Sequence, residues 1–147
     1  MEGLHVLLTC YNRALADHLG DELGYRRHFD VMNFHQLCVH WAKTAGKAAV
    51  YLEDAPSEYF NATLPNILLD AVEELGPQYD AIIVDEGQDF RREWWEVLPW
   101  LLHNPTNGIL YVFYDDNQRV YRDRSPIPIE TAPYVMNENC RNTQRVF

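Results

Sequence analysis

Two adjacent carboxylates, Asp85 and Glu86, are the residues whose placement in this sequence best suits chemistry. They directly follow the apolar run Ala81–Val84, which is typical of a strand buried on both faces of a parallel sheet. Because open parallel sheets bind ligands at the carboxyl ends of their strands, the pair lies where a site is expected. In a nucleotide-hydrolysis site the first carboxylate holds Mg²⁺ and the second orients or deprotonates the attacking water. A solvated turn after a strand explains the two carboxylates equally well when they are taken alone.

The elements that would position this pair alternate between strand and helix patterns. Strands are predicted at Leu4–Thr9, Phe29–Asn33, Ala81–Val84 and Ile109–Tyr114, the last of them buried, with a final one at Tyr134–Asn137. Helices are predicted from the N-cap Asn12 to the stop Gly24, over Phe34–Ala45 and Leu64–Leu75, and over Arg91–His103 with a break near Pro99. Gly46–Leu64 is predicted to be a loop-rich insertion, Asp115–Pro133 a loop, and Asn142 the start of another helix. The alternation predicts one α/β domain built on an open parallel sheet.

Gln88 and Asp89 make the acidic segment more specific. DEGQDF (Asp85–Phe90) resembles motif II of superfamily 1 helicases of the UvrD/Rep type, in which a Gln-Asp pair follows the acidic pair. Four more segments occur in that family's order: LLTCYNRALADHL (Leu7–Leu19) resembles motif Ia, NFHQLC (Asn33–Cys38) the small motif after it, YVFYDDNQRVY (Tyr111–Tyr121) motif III and NENCRNTQRVF (Asn137–Phe147) motif IV. The resemblance covers nearly the whole chain apart from Gly46–Leu75. It implies a three-layer RecA-like fold of the P-loop nucleoside triphosphatase type, a parallel sheet flanked by helices, incomplete in this chain.

The resemblance implies a role in ATP hydrolysis for four residues. Asp85 would coordinate Mg²⁺ and Glu86 would activate water. Gln118 would sense the γ-phosphate of ATP and couple it to DNA. Arg141 would reach the same phosphate like an arginine finger and stabilise charge in the transition state. An ordinary arginine at a helix start is the alternative interpretation of Arg141.

The resemblance also implies a path for single-stranded DNA. Tyr11, Asn12 and His35 would lie along it, and Tyr121 would stack on a base. A surface aromatic is an equally good interpretation of Tyr121, and a core or capping role suits His35. Family members usually carry a tryptophan two residues past that tyrosine, where this sequence has Asp123. Asp123 would repel phosphate, so base stacking and processive unwinding are in question at that point.

A phosphate-binding loop of the form GxxxxGK[S/T] is missing from the sequence. The Gly-Lys pair Gly46-Lys47 has neither the first glycine nor the final Ser or Thr at the required spacing. In the family this loop precedes motif Ia, so we expect it upstream of Met1, and we expect the second RecA-like domain after Phe147. Residues 1–147 are therefore predicted to be one partial RecA-like domain that is inactive alone. Its expected partners are the remaining helicase domains, single-stranded DNA, ATP and Mg²⁺.

Composition limits the other possibilities. With 12 basic and 22 acidic residues the formal net charge is −10, which predicts weak nucleic-acid binding by the chain alone. No apolar stretch approaches the roughly 18 residues of a membrane span, and the N-terminal residues do not resemble a secretion signal. Three scattered cysteines suit reduced thiols in the cytoplasm.

Two other functions remain open at the level of sequence. A degenerate RecA-like domain without ATPase activity would serve as a protein-interaction module, and the acidic composition and missing phosphate loop favour it. A magnesium phosphoesterase would use Asp85, Asp89, Asp115 and Asp116 if the strands that precede them are neighbours. That alternative leaves Gln118 and the segment resembling motif IV unexplained.

Overall fold

The order of elements follows the predicted alternation of strand and helix. The computed structural model describes residues 3–24, 26–48, 54–115 and 127–136. Its strands are β1 (Val6–Cys10), β2 (Phe29–Asn33), β3 (Ala81–Asp85) and β4 (Ile109–Val112). Its α-helices are α1 (Arg13–Leu23), α2 (Phe34–Thr44), α3 (Leu64–Leu75) and α4 (Arg92–Val97), with short π-helical or 3₁₀ turns at Tyr59–Thr63, Gly87–Asp89 and Leu98–Leu101.

The described strands form one parallel sheet in the order β2-β1-β3-β4. The strands β1 and β3 take the two central positions, and four of the five residues of β3 are apolar, as is typical of a strand buried on both faces. In the register of the sheet Cys10 pairs with both Asn33 and Asp85. The carboxyl ends of three strands therefore meet at one edge, and the α/β class with a parallel sheet flanked by helices is confirmed.

Local sequence signals explain where the first two helices begin. The Asn12 side chain accepts a hydrogen bond from the Leu15 N–H and caps α1, as predicted. At α2, Asn33 and Gln36 form a reciprocal capping box. Gly24, with φ of 64°, ends α1 in the left-handed region that glycine tolerates.

The two faces of the sheet are covered unequally. On one face α2, α3 and α4 enclose the main core, whose largest buried side chains are Phe34, Trp41, Leu64, Leu68, Tyr79 and Trp94. On the other face α1 contacts β1 and β2. Ala16 is the buried residue of α1, although Leu15, Leu19 and Leu23 share a face of that helix. Among the described residues, the half of this face formed by β3 and β4 has no helix over it.

That unequal cover corrects the prediction of a buried strand at Ile109–Tyr114. The strand ends at Val112 and lies at the sheet edge, and Ile109 and Tyr111 are 41% and 62% exposed. Its alternate residues, Leu110 and Val112, pack against the core. The apolar run predicted burial on both faces because hydrophobicity alone does not reveal which strand lies at an edge.

The break predicted near Pro99 within the helix Arg91–His103 is confirmed, since α4 ends at Val97 and a 3₁₀ turn containing Pro99 follows it. Two further predictions differ from the structure. Tyr134–Met136 is exposed and forms no strand, and Asn137 lies outside the described residues. The predicted insertion 46–64 ends in a π-helical turn that leads directly into α3.

A polar cluster ties the amino end of the sheet together. The Tyr79 hydroxyl donates to Asp30 Oδ2 at 2.9 Å, and His5 Nε2 lies 3.0 Å from the same oxygen. Burial and the nearby Asp30 carboxylate raise the pKa of Tyr79 well above its ordinary value. The cluster joins β2, the residue before β1 and the segment before β3.

The longest described helix, α3, has 12 residues. No helix in the described part of the chain combines the length and apolar character needed to cross a membrane.

Replacing Tyr79 by phenylalanine removes one hydrogen bond to a carboxylate and leaves the ring in place. We expect the free energy of unfolding in urea to fall by about 1.5–3 kcal/mol, the usual contribution of a hydrogen bond to a charged group. Tyr111→Phe is the matched control, because Tyr111 is exposed and should change stability by less than about 0.5 kcal/mol. Equal effects of the two substitutions would show that the cluster contributes nothing specific.

Candidate functional site at the carboxyl edge of the sheet

The structure gathers five of the predicted site residues at one edge of the sheet. Tyr11 and Asn12 follow β1, His35 is the second residue after β2, and Asp85 and Glu86 lie at the end of β3. Parallel strands produce this clustering, because all of them end at the same edge. Gln118, Tyr121 and Arg141 lie outside the described residues.

Glu86 leaves the direction of β3 through a left-handed backbone conformation. Its φ and ψ are 53° and 45°, a region that residues other than glycine seldom occupy. The Asp85 carboxylate accepts the Glu86 N–H at 2.9 Å and supports this turn. Such backbone outliers cluster at functional sites, although His28, in the turn before β2, also has a positive φ, of 68°.

Gln88 connects the acidic tip to the segment after β4. Its side chain is almost completely buried. The Gln88 Nε2 group donates to a Glu86 carboxylate oxygen, and Gln88 Oε1 accepts the Asp115 N–H at 3.2 Å. The orientation of the Glu86 carboxylate is therefore coupled to the position of Asp115.

Gly87 allows these two segments to approach each other closely. Its N–H donates to the Phe113 carbonyl at 2.9 Å. A Cβ atom at Gly87 would lie 2.5 Å from Val112 Cγ1 and 3.6 Å from the Trp95 ring. Steric contact with Val112 thus explains why position 87 of the DEGQDF segment is a glycine, which the sequence alone did not reveal.

Cys10 lies beside the acidic tip at the end of β1. Burial, followed by the negative charge of Asp85, raises the pKa of the Cys10 thiol to about 11. The thiol donates to the Asn12 carbonyl at 3.2 Å. Because a thiol and not a thiolate faces Asp85, Cys10 is unsuited to act as a nucleophile or a metal ligand here.

The acidic tip offers few protein ligands to a metal ion. Among the described residues no three His, Cys, Asp or Glu side chains form a group that could hold a metal. Asp85, Asp89 and Asp115 therefore do not assemble the acidic cluster that a phosphoesterase would use, and Asp116 lies outside the described residues. One or two carboxylates with room for water and phosphate oxygens suit Mg²⁺ in nucleotide sites, and Asp85 fits that donor set.

Gly46 and Lys47 lie far from the acidic tip in the fold. Gly46 follows the carboxyl end of α2, and the Lys47 ammonium group lies 3.6 Å from the Glu74 carboxylate. This pair does not form a phosphate-binding loop, in agreement with its mismatch to the GxxxxGK[S/T] pattern.

A pocket of 310 Å³ lies next to Tyr11, and its wall is largely aromatic. The Tyr11 ring stacks on Trp94 with centroids 5.8 Å apart, and Trp94 stacks on Phe34 at 4.3 Å. Trp94 and Phe34 are buried, whereas Tyr11 is 42% exposed. Tyr11 is thus the partly exposed outer ring of a stack whose two inner rings are buried.

His35 contributes a neutral ring to this pocket. Its centroid lies 4.8 Å from that of Phe60 and 5.1 Å from that of Trp94. Burial, with a smaller contribution from the positive charge of Arg91, lowers the pKa of His35 to about 4. The half-buried ring packs against both of these neighbours, and at neutral pH it brings no positive charge to the site.

Asn33 positions Tyr11 from the neighbouring strand. It is buried at the end of β2, and its Nδ2 group lies 3.4 Å from the Tyr11 carbonyl oxygen that accepts its hydrogen bond. The oxygen of its side chain caps α2. The Asn12 side-chain oxygen is likewise committed to its helix, so its amide nitrogen is the group that remains for a ligand.

Four residues that line this pocket were missed by reasoning from the sequence: Ala55, Ser57, Phe60 and Arg91. Phe60 comes from the irregular segment before α3, and Arg91 follows the acidic motif. No sequence pattern indicates that Phe60 reaches the pocket. Arg91 could have been noticed as a cation five residues after Glu86. Trp94 and Trp95 are buried in the core and Trp100 lies at the rim, as predicted.

Comparison of the chain with known proteins identifies no relative. No family model matches it. Neither curated proteins nor solved structures provide a match.

Substituting alanine for Gly87 should destabilise the domain because the new methyl group would overlap Val112. We expect a loss of about 1–3 kcal/mol in the free energy of unfolding, the usual cost of overpacking. The control is Gly3→Ala, since nothing lies within 4 Å of a Cβ at Gly3. If urea denaturation gives the same stability for both variants, the close approach at Gly87 is wrong.

Acidification should destabilise the domain through His35. Its folded-state pKa of about 4 lies below the ordinary 6.5, so the unfolded chain takes up the proton first. The contribution of neutral His35 is fully present above about pH 6.5 and is lost as the pH falls toward 4. Between pH 7 and pH 4.5 the thermal midpoint of the unsubstituted chain should therefore fall further than that of the His35→Phe variant. We expect the two decreases to differ by roughly 4 °C. Parallel melting curves of the two proteins would contradict this assignment.

Proposed function

We propose that this domain is part of the first RecA-like domain of an ATP-dependent DNA helicase or translocase of superfamily 1. In that protein Asp85 would hold Mg²⁺ and Glu86 would activate the attacking water. Gln118 and Arg141 would contact the γ-phosphate, and the protein would act in the cytoplasm. The 147-residue chain alone should be inactive, because a triphosphate needs a phosphate-binding loop that this sequence lacks.

The observation that carries the proposal is the connection between Glu86 and Asp115 through buried Gln88. A general base must be held in one orientation to abstract a proton efficiently. Gln88 contacts one oxygen of Glu86, and the same side chain accepts a hydrogen bond from Asp115, within the segment that resembles motif III. A hydrolytic base coupled in this way would respond to movement of that segment. A plain surface turn has no need for a buried amide in this position.

The open edge of β4 supports the proposal independently. Ile109 and Tyr111 expose apolar surface beside an edge that no described strand pairs with. Exposed apolar edges of this kind are usually covered in a complete protein. A further parallel strand at β4 would bring its carboxyl end close to Asp85 and Glu86. A phosphate-binding loop following such a strand would complete the nucleotide site.

The aromatic pocket supports a contact with single-stranded DNA. Tyr11 offers an exposed ring backed by two buried ones, and Arg91 at the same pocket supplies positive charge for phosphate. The net charge of −10 opposes binding by the domain alone. We therefore expect DNA affinity to depend on the remaining helicase domains.

Bound Mg²⁺ would neutralise charge on the phosphate oxygens of ATP. The part played by this chain is narrower. Asp85 would fix the position of the ion through a carboxylate that also supports the Glu86 turn. Glu86 would accept a proton from water on a carboxylate oxygen, since its contact with Gln88 uses only part of its acceptor capacity.

Reading the coding sequence is the first test of the proposal. A GxxxxGK[S/T] loop should occur within roughly 30 residues upstream of Met1, the length of one strand–loop–helix unit. If the coding sequence holds no such loop, the degenerate protein-interaction module replaces the helicase as the better function.

Substitution of Glu86 by glutamine tests the catalytic assignment. In the protein that includes the upstream loop, we expect DNA-stimulated ATP hydrolysis to fall by about 10²–10⁴-fold, the usual contribution of a general base. ATP binding should persist, because glutamine keeps the shape and removes only the charge. Glu93→Gln is the matched control, since Glu93 is exposed in the first turn of α4. Hydrolysis that survives Glu86→Gln, or ATP turnover by the 147-residue chain alone, would contradict the assignment.

A further inference from the structure

We propose that the open edge of β2 binds an extended peptide from a partner protein as a fifth strand. The peptide would lie in a groove between α1 and α2, hereafter the α1–α2 groove. This cavity has a volume of 650 Å³ and lies on the opposite side of the sheet from β4. It contains neither Asp85 nor Tyr11, so the inference does not rest on the helicase proposal.

The floor of the α1–α2 groove is the edge of the sheet itself. Val31 and Met32 are consecutive residues of β2 and both line the cavity. Consecutive strand residues point to opposite faces, so the cavity reaches around the edge from one face to the other. No described strand pairs with this edge. Its backbone groups are therefore in position to hydrogen-bond to an added strand.

The helices α1 and α2 form the two walls of the groove, and each contributes the residues of one helix face. Ala16 and Gly20 line the groove from α1, and Val39 lines it from α2. A glycine inside a helix is unfavourable by about 1 kcal/mol relative to alanine. A Cβ at Gly20 would meet only Val31, at an ordinary 3.9 Å, so packing within the domain does not require glycine. The missing side chain leaves room in the groove for those of an incoming strand.

The two walls carry opposite charge near the carboxyl ends of α1 and α2. Asp21 lies on α1 and Lys43 on α2, and both are exposed. Neither forms an ion pair within the described part of the chain. At the other end Gln36 Nε2 donates to Asp17 Oδ1 at 3.4 Å and joins the walls.

These charges define the chemistry of the occupant. Side chains of an added strand alternate between the α1 wall and the α2 wall. A peptide with Lys or Arg on one face and Asp or Glu on the other would pair with Asp21 and Lys43 at once. Apolar residues between them would contact Val31 and Val39. Its length would match the five residues of β2, about 17 Å of extended chain.

A single extended peptide fits this groove better than a second copy of the domain. The edge of β2 lies between two helices, so a second edge flanked by its own helices would collide with them before its strand reached β2. A lone strand has no such obstruction. Dimerisation through this edge is therefore an outcome that would contradict the proposal.

The test uses the 147-residue chain and the synthetic peptide KEVVKEVV, which carries lysine on one face and glutamate on the other. We expect nuclear magnetic resonance titration to shift amide signals of β2 and of the groove-facing residues of α1 and α2. The Kd should fall between about 10 μM and 1 mM, because backbone hydrogen bonds supply most of the affinity. The same peptide N-methylated at its central residues should bind at least tenfold more weakly, since it cannot donate to the edge.

Variants of the protein separate groove binding from loss of folding. Gly20→Leu should fill the groove and weaken binding at least tenfold, whereas Gly20→Ala should leave it within twofold. Both substitutions improve helix propensity, so neither result reflects unfolding of α1. Asp21→Lys makes both walls basic and should shift the preference to the all-acidic peptide EEVVEEVV.

Four outcomes would overturn the proposal. They are no binding of KEVVKEVV at millimolar concentration, undiminished binding of the N-methylated peptide, signal shifts confined to β4, and concentration-dependent dimerisation through β2 without peptide.

Discussion

Parallel pairing of β1 with both β2 and β3 forces three strands to end on one edge, and the candidate site exists because of that pairing. Cys10 stands between Asn33 and Asp85 in the register. Asn33 holds the backbone of Tyr11, and Asp85 supports the turn at Glu86. A slip of one residue in either pairing would turn these side chains to the opposite face, and the aromatic pocket would separate from the acidic tip.

The two edges of the sheet, at β4 and at β2, have different surroundings. At β4 the exposed residues are large and apolar, and the neighbouring face carries no described helix. At β2 two helices flank the edge, and polar side chains line much of the groove. The β4 side therefore suits a permanent neighbour with an apolar surface, whereas the β2 side suits a narrow, reversible partner. Both inferences follow from which backbone groups and apolar atoms remain uncovered.

Burial keeps two titratable groups near the site uncharged. The Cys10 thiol stays protonated beside Asp85, and the His35 ring stays neutral beside Arg91. The negative charge at this edge is therefore concentrated on Asp85 and Glu86, and the positive charge of the aromatic pocket is carried by Arg91. The proposed nucleotide and metal ion would lie in the first environment, and the proposed DNA phosphate would lie in the second.

The sequence alone determined the elements whose signals are local. The helix Leu64–Leu75, the cap Asn12, the stop Gly24 and the strand Phe29–Asn33 were predicted with their observed limits, because capping and periodicity depend on residues only a few positions apart. The position of Asp85 and Glu86 at a strand end could also be predicted, since a buried strand followed by two carboxylates is a local pattern.

Only the tertiary structure decided which strand lies at an edge and which distant residues meet. The exposure of Tyr111, the contact of Phe60 with His35 and the link from Gln88 to Asp115 join residues at least 25 positions apart, or depend on sheet order. Hydrophobicity measures the tendency of a side chain to leave water. Whether a neighbour covers that side chain depends on how the whole chain packs.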